Sequence, residues 1–117
     1  MTLTKLPLSA SVNGKRILIS ATTSASANPI HTAVTGSSAV DEIWLYAYNE
    51  FTASVLVSVL WGGTVEPNDV NRVYVTSVAG KTLIVDGQLL QDGLTVSIYA
   101  GTANKINIDG FVNRAIP

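Results

Sequence analysis

Between Asp41 and Gly63 the sequence reads DEIWLYAYNEFTASVLVSVLWGG, and no other stretch limits the available folds as strongly. It holds two apolar runs, joined by a short polar connector and closed by a glycine pair. Each run alternates with the strand period of two, so successive side chains point to opposite faces. Ile43, Leu45 and Ala47 share one face of the first run, and Trp44, Tyr46 and Tyr48 the other. In the second run Val55, Val57, Val59 and Trp61 oppose Leu56, Ser58 and Leu60. Both faces carry apolar bulk, the pattern of strands covered on two sides. A helix over ASVLVSVLW is disfavoured, because β-branched valines lose χ1 freedom in helices and fit pleated surfaces. The connector Glu50–Ala53 has hairpin length and predicts that the two strands pair antiparallel. The valine face is the expected core, and the aromatic face is expected either in a second packing layer or at a contact surface.

The rest of the chain repeats the strand signature. Residues 1–14 place Leu3, Leu6 and Leu8 around Pro7 and end at Asn13-Gly14; proline enforces extended geometry, so this is an arm or an edge strand. A strand is expected over Lys15–Ala21 with Ile17 and Ile19 inward, and a loop over TTSASAN before Asn28-Pro29. Further strands are expected over Ile30–Val34, Val70–Thr76 with Val73 and Val75 on one side, Lys81–Asp86, Leu94–Ala100 and Lys105–Arg114. Gly62-Gly63 with Glu66–Asp69 marks a long turn, and Asp86-Gly87 is a hairpin-type dipeptide before a stub at Gln88–Leu90. Ile106, Ile108 and Val112 share a face of the last strand, and Gly110 is expected to break it at a bulge or bend. About eight short antiparallel strands with no amphipathic helix predict an all-β, single-domain sandwich over residues 15–117, best matched by a jelly roll. An immunoglobulin-like strand order is the competing arrangement.

Composition restricts function. Charged residues make up only 13% of the chain against 47% hydrophobic ones, roughly half the usual charged share. Either the Ser, Thr and Asn side chains cover the surface, or part of it is buried against a partner. The net charge is −1 and the seven Lys and Arg are scattered, so there is no basic stripe for nucleic acid. Cysteine is absent, which removes disulfides and zinc–thiolate sites. The start MTLTKLPLSAS lacks the pattern of a secretory signal, and no apolar run is long enough for a membrane span. Synthesis in a cytosol-like setting is expected.

Reactive constellations are sparse. His31 is the sole histidine; no G-x-S-x-G motif frames a serine beside it, and a structural or surface role is the simpler expectation. Asp41 and Glu42 are adjacent in a strand and should diverge rather than work as an acid pair. Glu66 and Asp69 could offer oxygens to calcium, but Pro67, Asn68 and Asp69 are ordinary turn residues and lack the D-x-D-x-D-G arrangement. No phosphate-cradling glycine spacing is present. Trp44, Tyr46, Tyr48, Trp61 and Tyr99 could form a sugar platform, although aromatics in strands mostly pack. No catalytic, cofactor or metal residues are assigned, and an enzyme is not expected.

Several segments together carry a resemblance: Leu6-Pro7-Leu8-Ser9, Asn13-Gly14-Lys15, Ile30-His31-Thr32-Ala33, Trp61-Gly62-Gly63, and the closing Ala100–Asn104, Ile106-Asn107-Ile108 and Gly110–Arg114. In these the chain resembles small virion proteins encoded near the capsid genes of tailed bacteriophages. The resemblance implies a capsid decoration or cement protein: a jelly-roll-like module on the outer shell, repeated many times and clamping neighbouring subunits of the major capsid protein. It brings no catalytic or ligand residues. A virion location, self-association as dimer or trimer, and contacts through Leu3, Leu6, Pro7, Leu8, Trp44, Tyr46 and Tyr48 follow as expectations. The rival expectations are a carbohydrate-binding or host-attachment module of a fibre, and a small head or tail completion protein.

Overall fold

The computed structural model describes all of residues 1–117. The chain is all-β: two antiparallel sheets pack into one sandwich. Nine strands form: β1 (Thr2–Pro7), β2 (Ile17–Ile19), β3 (Asn28–Thr32), β4 (Val40–Asn49), β5 (Val55–Trp61), β6 (Val70–Val75), β7 (Thr82–Leu90), β8 (Thr95–Ala100) and β9 (Ile106–Ile116). One sheet runs β1-β9-β4-β7 with β2 also beside β9, and the other runs β3-β8-β5-β6.

The order follows from one long antiparallel ribbon folded over on itself. Its innermost pair is β5·β6, then come β4·β7 and β3·β8, and β1 and β2 share β9 outermost. Successive pairs go to alternate sheets. The contacts β4·β9 and β5·β8 then weld the layers of the ribbon together. This nesting is the jelly-roll arrangement, two interleaved Greek keys, and it excludes an immunoglobulin-like order.

Between the sheets lies a 20-residue apolar cluster. Ile43, Leu45 and Ala47 from β4 meet Val55, Val57 and Val59 from β5 there, with Ile106, Ile108 and Val112 from β9. The valine face is therefore core, as the alternation predicts. Leu56 on the opposite face of β5 stays half-buried, while Ser58 and Leu60 beside it are buried.

Four local expectations are corrected. β4 and β5 do not form a hairpin; they lie in different sheets, and Glu50–Ser54 arches between them. Asn49 explains the arch: its buried side chain donates to the carbonyls of Ala53 (2.9 Å) and Val75 (2.8 Å) and accepts the Phe51 N–H (2.8 Å). The corner is thus hydrogen-bonded from inside, and the apolar faces of both runs can meet across the core. Asp86-Gly87 is not a turn, and Gln88–Leu90 is no separate stub, because β7 runs through both. Gly87 is the extra residue of a register shift opposite Ile43 and Trp44, and its missing side chain leaves room for the Trp44 indole. Gly110 does not interrupt β9 either: the register with β4 is unbroken from Val40↔Ala115 to Asn49↔Ile106. Glycine is required there because a Cβ would collide with the Trp44 carbonyl oxygen. The hairpin at the centre of the ribbon is β5–β6, whose loop Asp69 closes by accepting the Val65 N–H (3.0 Å) and pairing its own backbone with Trp61.

Candidate functional site

The outer face of the β1-β9-β4-β7 sheet gathers residues far apart in sequence. Alternation along β4 sends Glu42, Trp44, Tyr46 and Tyr48 outward, all half-buried, while Asp41, Ile43, Leu45, Ala47 and Asn49 are buried. β9 lies alongside in register, placing Asn113 opposite Glu42, Phe111 opposite Trp44, Asp109 opposite Tyr46 and Asn107 opposite Tyr48. β1 adds Leu3, Lys5 and Pro7 to this face through Leu3↔Ala115, Lys5↔Asn113 and Pro7↔Phe111.

These side chains hold one another in fixed positions. The Trp44 and Phe111 rings stack with centroids 6.0 Å apart and planes 10° from parallel. Lys5 Nζ lies 4.3 Å from the Phe111 centroid, Arg16 is 3.8 Å from that of Tyr48 and Lys81 is 4.2 Å from that of Tyr46. Each such contact contributes about 0.5–1 kcal/mol at an exposed site. Glu42 Oε1 accepts the Trp44 indole N–H (2.8 Å) and the Asn113 amide (3.0 Å). Those two bonds, Asn113's first, outweigh partial desolvation and hold the Glu42 carboxyl below its ordinary value. The Tyr48 hydroxyl donates to Asp109 Oδ2 at 3.0 Å. The result is a pre-ordered surface, with exposed Leu3, Leu18, Leu83 and Leu89 on strands of the same sheet.

The expected contact residues divide by face. Leu3, Pro7, Trp44, Tyr46 and Tyr48 come together on the outer surface. Leu6 instead packs against the core, and Leu8 lies within it at 1% exposure. Neither of these two is offered to a partner. Lys5, Arg16, Lys81, Asp109, Phe111 and Asn113 complete the face and were not among the expected residues. The Phe111–Asn113 alternation is visible in the sequence, but its pairing with β4 about seventy positions away is not.

A second polar group lies inside the sandwich. Asp41 projects inward from β4 and receives two bonds from Arg114 of β9, Nε to Oδ1 at 2.7 Å and a terminal nitrogen to Oδ2 at 2.9 Å. His31 Nε2 from the opposite sheet lies 2.8 Å from Oδ2, and the Val34 N–H donates to the same oxygen (3.1 Å). Burial opposes ionisation of Asp41, but the bonds from Arg114 and His31, the Arg114 charge and the Val34 N–H prevail and keep its carboxyl below the ordinary range. Asp41 correspondingly raises Arg114 above its usual value, against the pull of partial burial. The other His31 nitrogen, Nδ1, accepts the backbone N–H of Ser9 (3.0 Å). Serine, histidine and aspartate thus meet here as a structural clamp between sheets: the serine hydroxyl is turned away, accepting the Thr32 N–H at 2.8 Å.

Elsewhere, Glu66 pairs with Arg72 and Asp69 closes its own loop, so neither carboxylate of the calcium candidate is directed at a common centre. Comparison with protein-family models, curated proteins and solved structures finds no match to this chain.

Proposed function

We propose that this chain is a structural protein that binds the outer surface of a tailed-bacteriophage capsid, and that it docks on the major capsid protein through the outer face of the β1-β9-β4-β7 sheet. The carrying observation is the row of outward rings on that face, each locked against a neighbour: Lys5 on Phe111, Phe111 on Trp44, Lys81 on Tyr46 and Arg16 on Tyr48. A surface already ordered in the free protein gives up little side-chain entropy when it docks. Trp, Tyr and Arg are also the residues that dominate protein–protein hot spots. Sugar recognition needs open ring faces for stacking, and here a cation or a second ring covers one face of Trp44, Tyr46 and Tyr48, which favours a protein partner over a glycan. The jelly roll suits a shell component because its rigidity comes from a packed apolar core without disulfides.

The test uses capsids of the virus encoding the chain, assembled without this protein. Wild-type protein should co-sediment with them saturably and raise their thermal disruption temperature. The double variant Trp44→Ala/Tyr48→Ala should bind at least about 30-fold more weakly, the scale of a lost hot spot, while its far-ultraviolet circular dichroism stays that of the wild type. Saturable binding that survives this variant would move the interface off this face. No binding by the wild type, with tryptophan quenching by added glycans, would refute the capsid reading.

A further inference from the structure

The segment after β1 crosses from one sheet to the edge of the other. Leu8 sinks into the core at 1% exposure. Ser9 donates its N–H to His31 Nδ1 (3.0 Å) and accepts the Thr32 N–H on its hydroxyl (2.8 Å), and Ala10 donates to the Ile30 carbonyl (3.2 Å). Leu8–Ala10 is therefore a strap that ties β1, the edge of one sheet, to β3, the edge of the other. Its central bond ends on a histidine that is 2% exposed.

We infer that this strap is a proton-sensitive latch, opened when His31 takes up a second proton. The hydrogen-bond directions carry the inference. A nitrogen that accepts the Ser9 N–H has no proton, so the ring is neutral, and its one N–H is on Nε2 and points at Asp41. Protonation places a hydrogen on Nδ1, aimed at the hydrogen of Ser9, and the strap's bond becomes a repulsion. The charged groups facing His31 are Asp41 from β4 and Arg114 from β9, whose terminal nitrogen shares Asp41 Oδ2 with His31 Nε2. Opposite it on β8 stands Val96, and the strap brings no charge. Asp41 and Arg114 already neutralise each other, so the added proton leaves an enclosed cluster with net positive charge. Moving the strap relieves both the clash and the confinement. Opening would loosen the Pro7 end of β1, which lies beside Phe111 on the outer face. The latch is a property of the free chain and does not depend on what that face binds.

Amide hydrogen exchange of the full chain tests it between about pH 8 and pH 5, the range in which histidine ordinarily titrates, with rates corrected for their intrinsic pH dependence. Protection of the Ser9, Ala10 and Thr32 amides should fall about tenfold or more at the lower pH, consistent with loss of a buried hydrogen bond. Protection of Val57 and Val59 in the core should stay constant. In the wild type alone, the ¹⁵N shift of the His31 imidazole and the Ser9 protection should share one midpoint. His31→Gln, which keeps a neutral donor toward Asp41, should make strap protection independent of pH. The inference is overturned if strap protection is flat in the wild type, if its midpoint differs from that of the imidazole, or if core and strap lose protection together.

Discussion

Asp41 is a fully buried carboxylate kept ionised by its neighbours, and that has a measurable cost and a measurable pH dependence. Removing one member of a buried ion pair strands the other, so Asp41→Ala should lower stability by ~3–5 kcal/mol in chemical denaturation. Its folded-state pKa lies below the unfolded value, whose reference is 3.8. The stabilisation is therefore complete above the unfolded pKa and is lost as pH falls through the lower, folded one. The stability difference between wild type and Asp41→Ala should narrow progressively below about pH 4; a difference unchanged down to about pH 2 would contradict this account. Two backbone positions allow sharper tests. Gly110→Ala forces a methyl group into the Trp44 carbonyl, so it should cost more than ~3 kcal/mol or abolish soluble expression. Val78 is the reverse case: an exposed β-branched residue held at φ 49°. Valine is strained in that left-handed region and asparagine tolerates it, so Val78→Asn should stabilise by ~1 kcal/mol.

Among the elements, β4 and β9 form the spine of their sheet, paired over ten consecutive positions. Their alternation sends an apolar set to the core and an aromatic and polar set outward. That much is legible in the residues: the faces of β4, the valine side of β5 and the inward Ile106, Ile108 and Val112 all follow from period-two counting. The turn at Asn13-Gly14 is legible for the same local reason, since both residues take positive φ there. Connections between sheets are not legible, because an arch and a hairpin can have the same length. What separates them at residues 50–54 is the capacity of Asn49 to satisfy the corner's backbone from within, which depends on Val75, 26 residues on. Asn49→Ala should accordingly cost ~2–3 kcal/mol by leaving two carbonyls and an N–H without their partner. The outer face is half legible: its aromatics alternate visibly, whereas the cations above them arrive on β1, just before β7 and just before β2, brought there by the topology. Leu6 and Leu8 show the same limit. Next to Pro7 they read as part of an arm or an edge strand; β1 is the edge strand, Leu6 on it packs against the core, and Leu8 just beyond it is buried.

For the whole molecule, nesting governs how the chain must fold. The innermost pair β5·β6 closes over residues 62–69 alone, whereas β1·β9 joins Thr2 to Ile116 across nearly the full length. Such non-local pairing places refolding in the millisecond-to-second range, measurable through Trp44 and Trp61 fluorescence in stopped-flow dilution from denaturant.

The pairing of Thr2 with Ile116 also means that the first and last strands of the sandwich meet end to start on neighbouring positions. A short glycine–serine bridge between those two residues would span the gap, and the chain could be opened instead in the exposed 64–68 loop at the ribbon's fold. The strand pairing would be unchanged, while the costliest loop closure, that of β1 with β9, would become a local one. Chain joined before Thr2 or after Ile116 would emerge from the same corner of the sandwich, beside the edge of the sheet that carries the aromatic face.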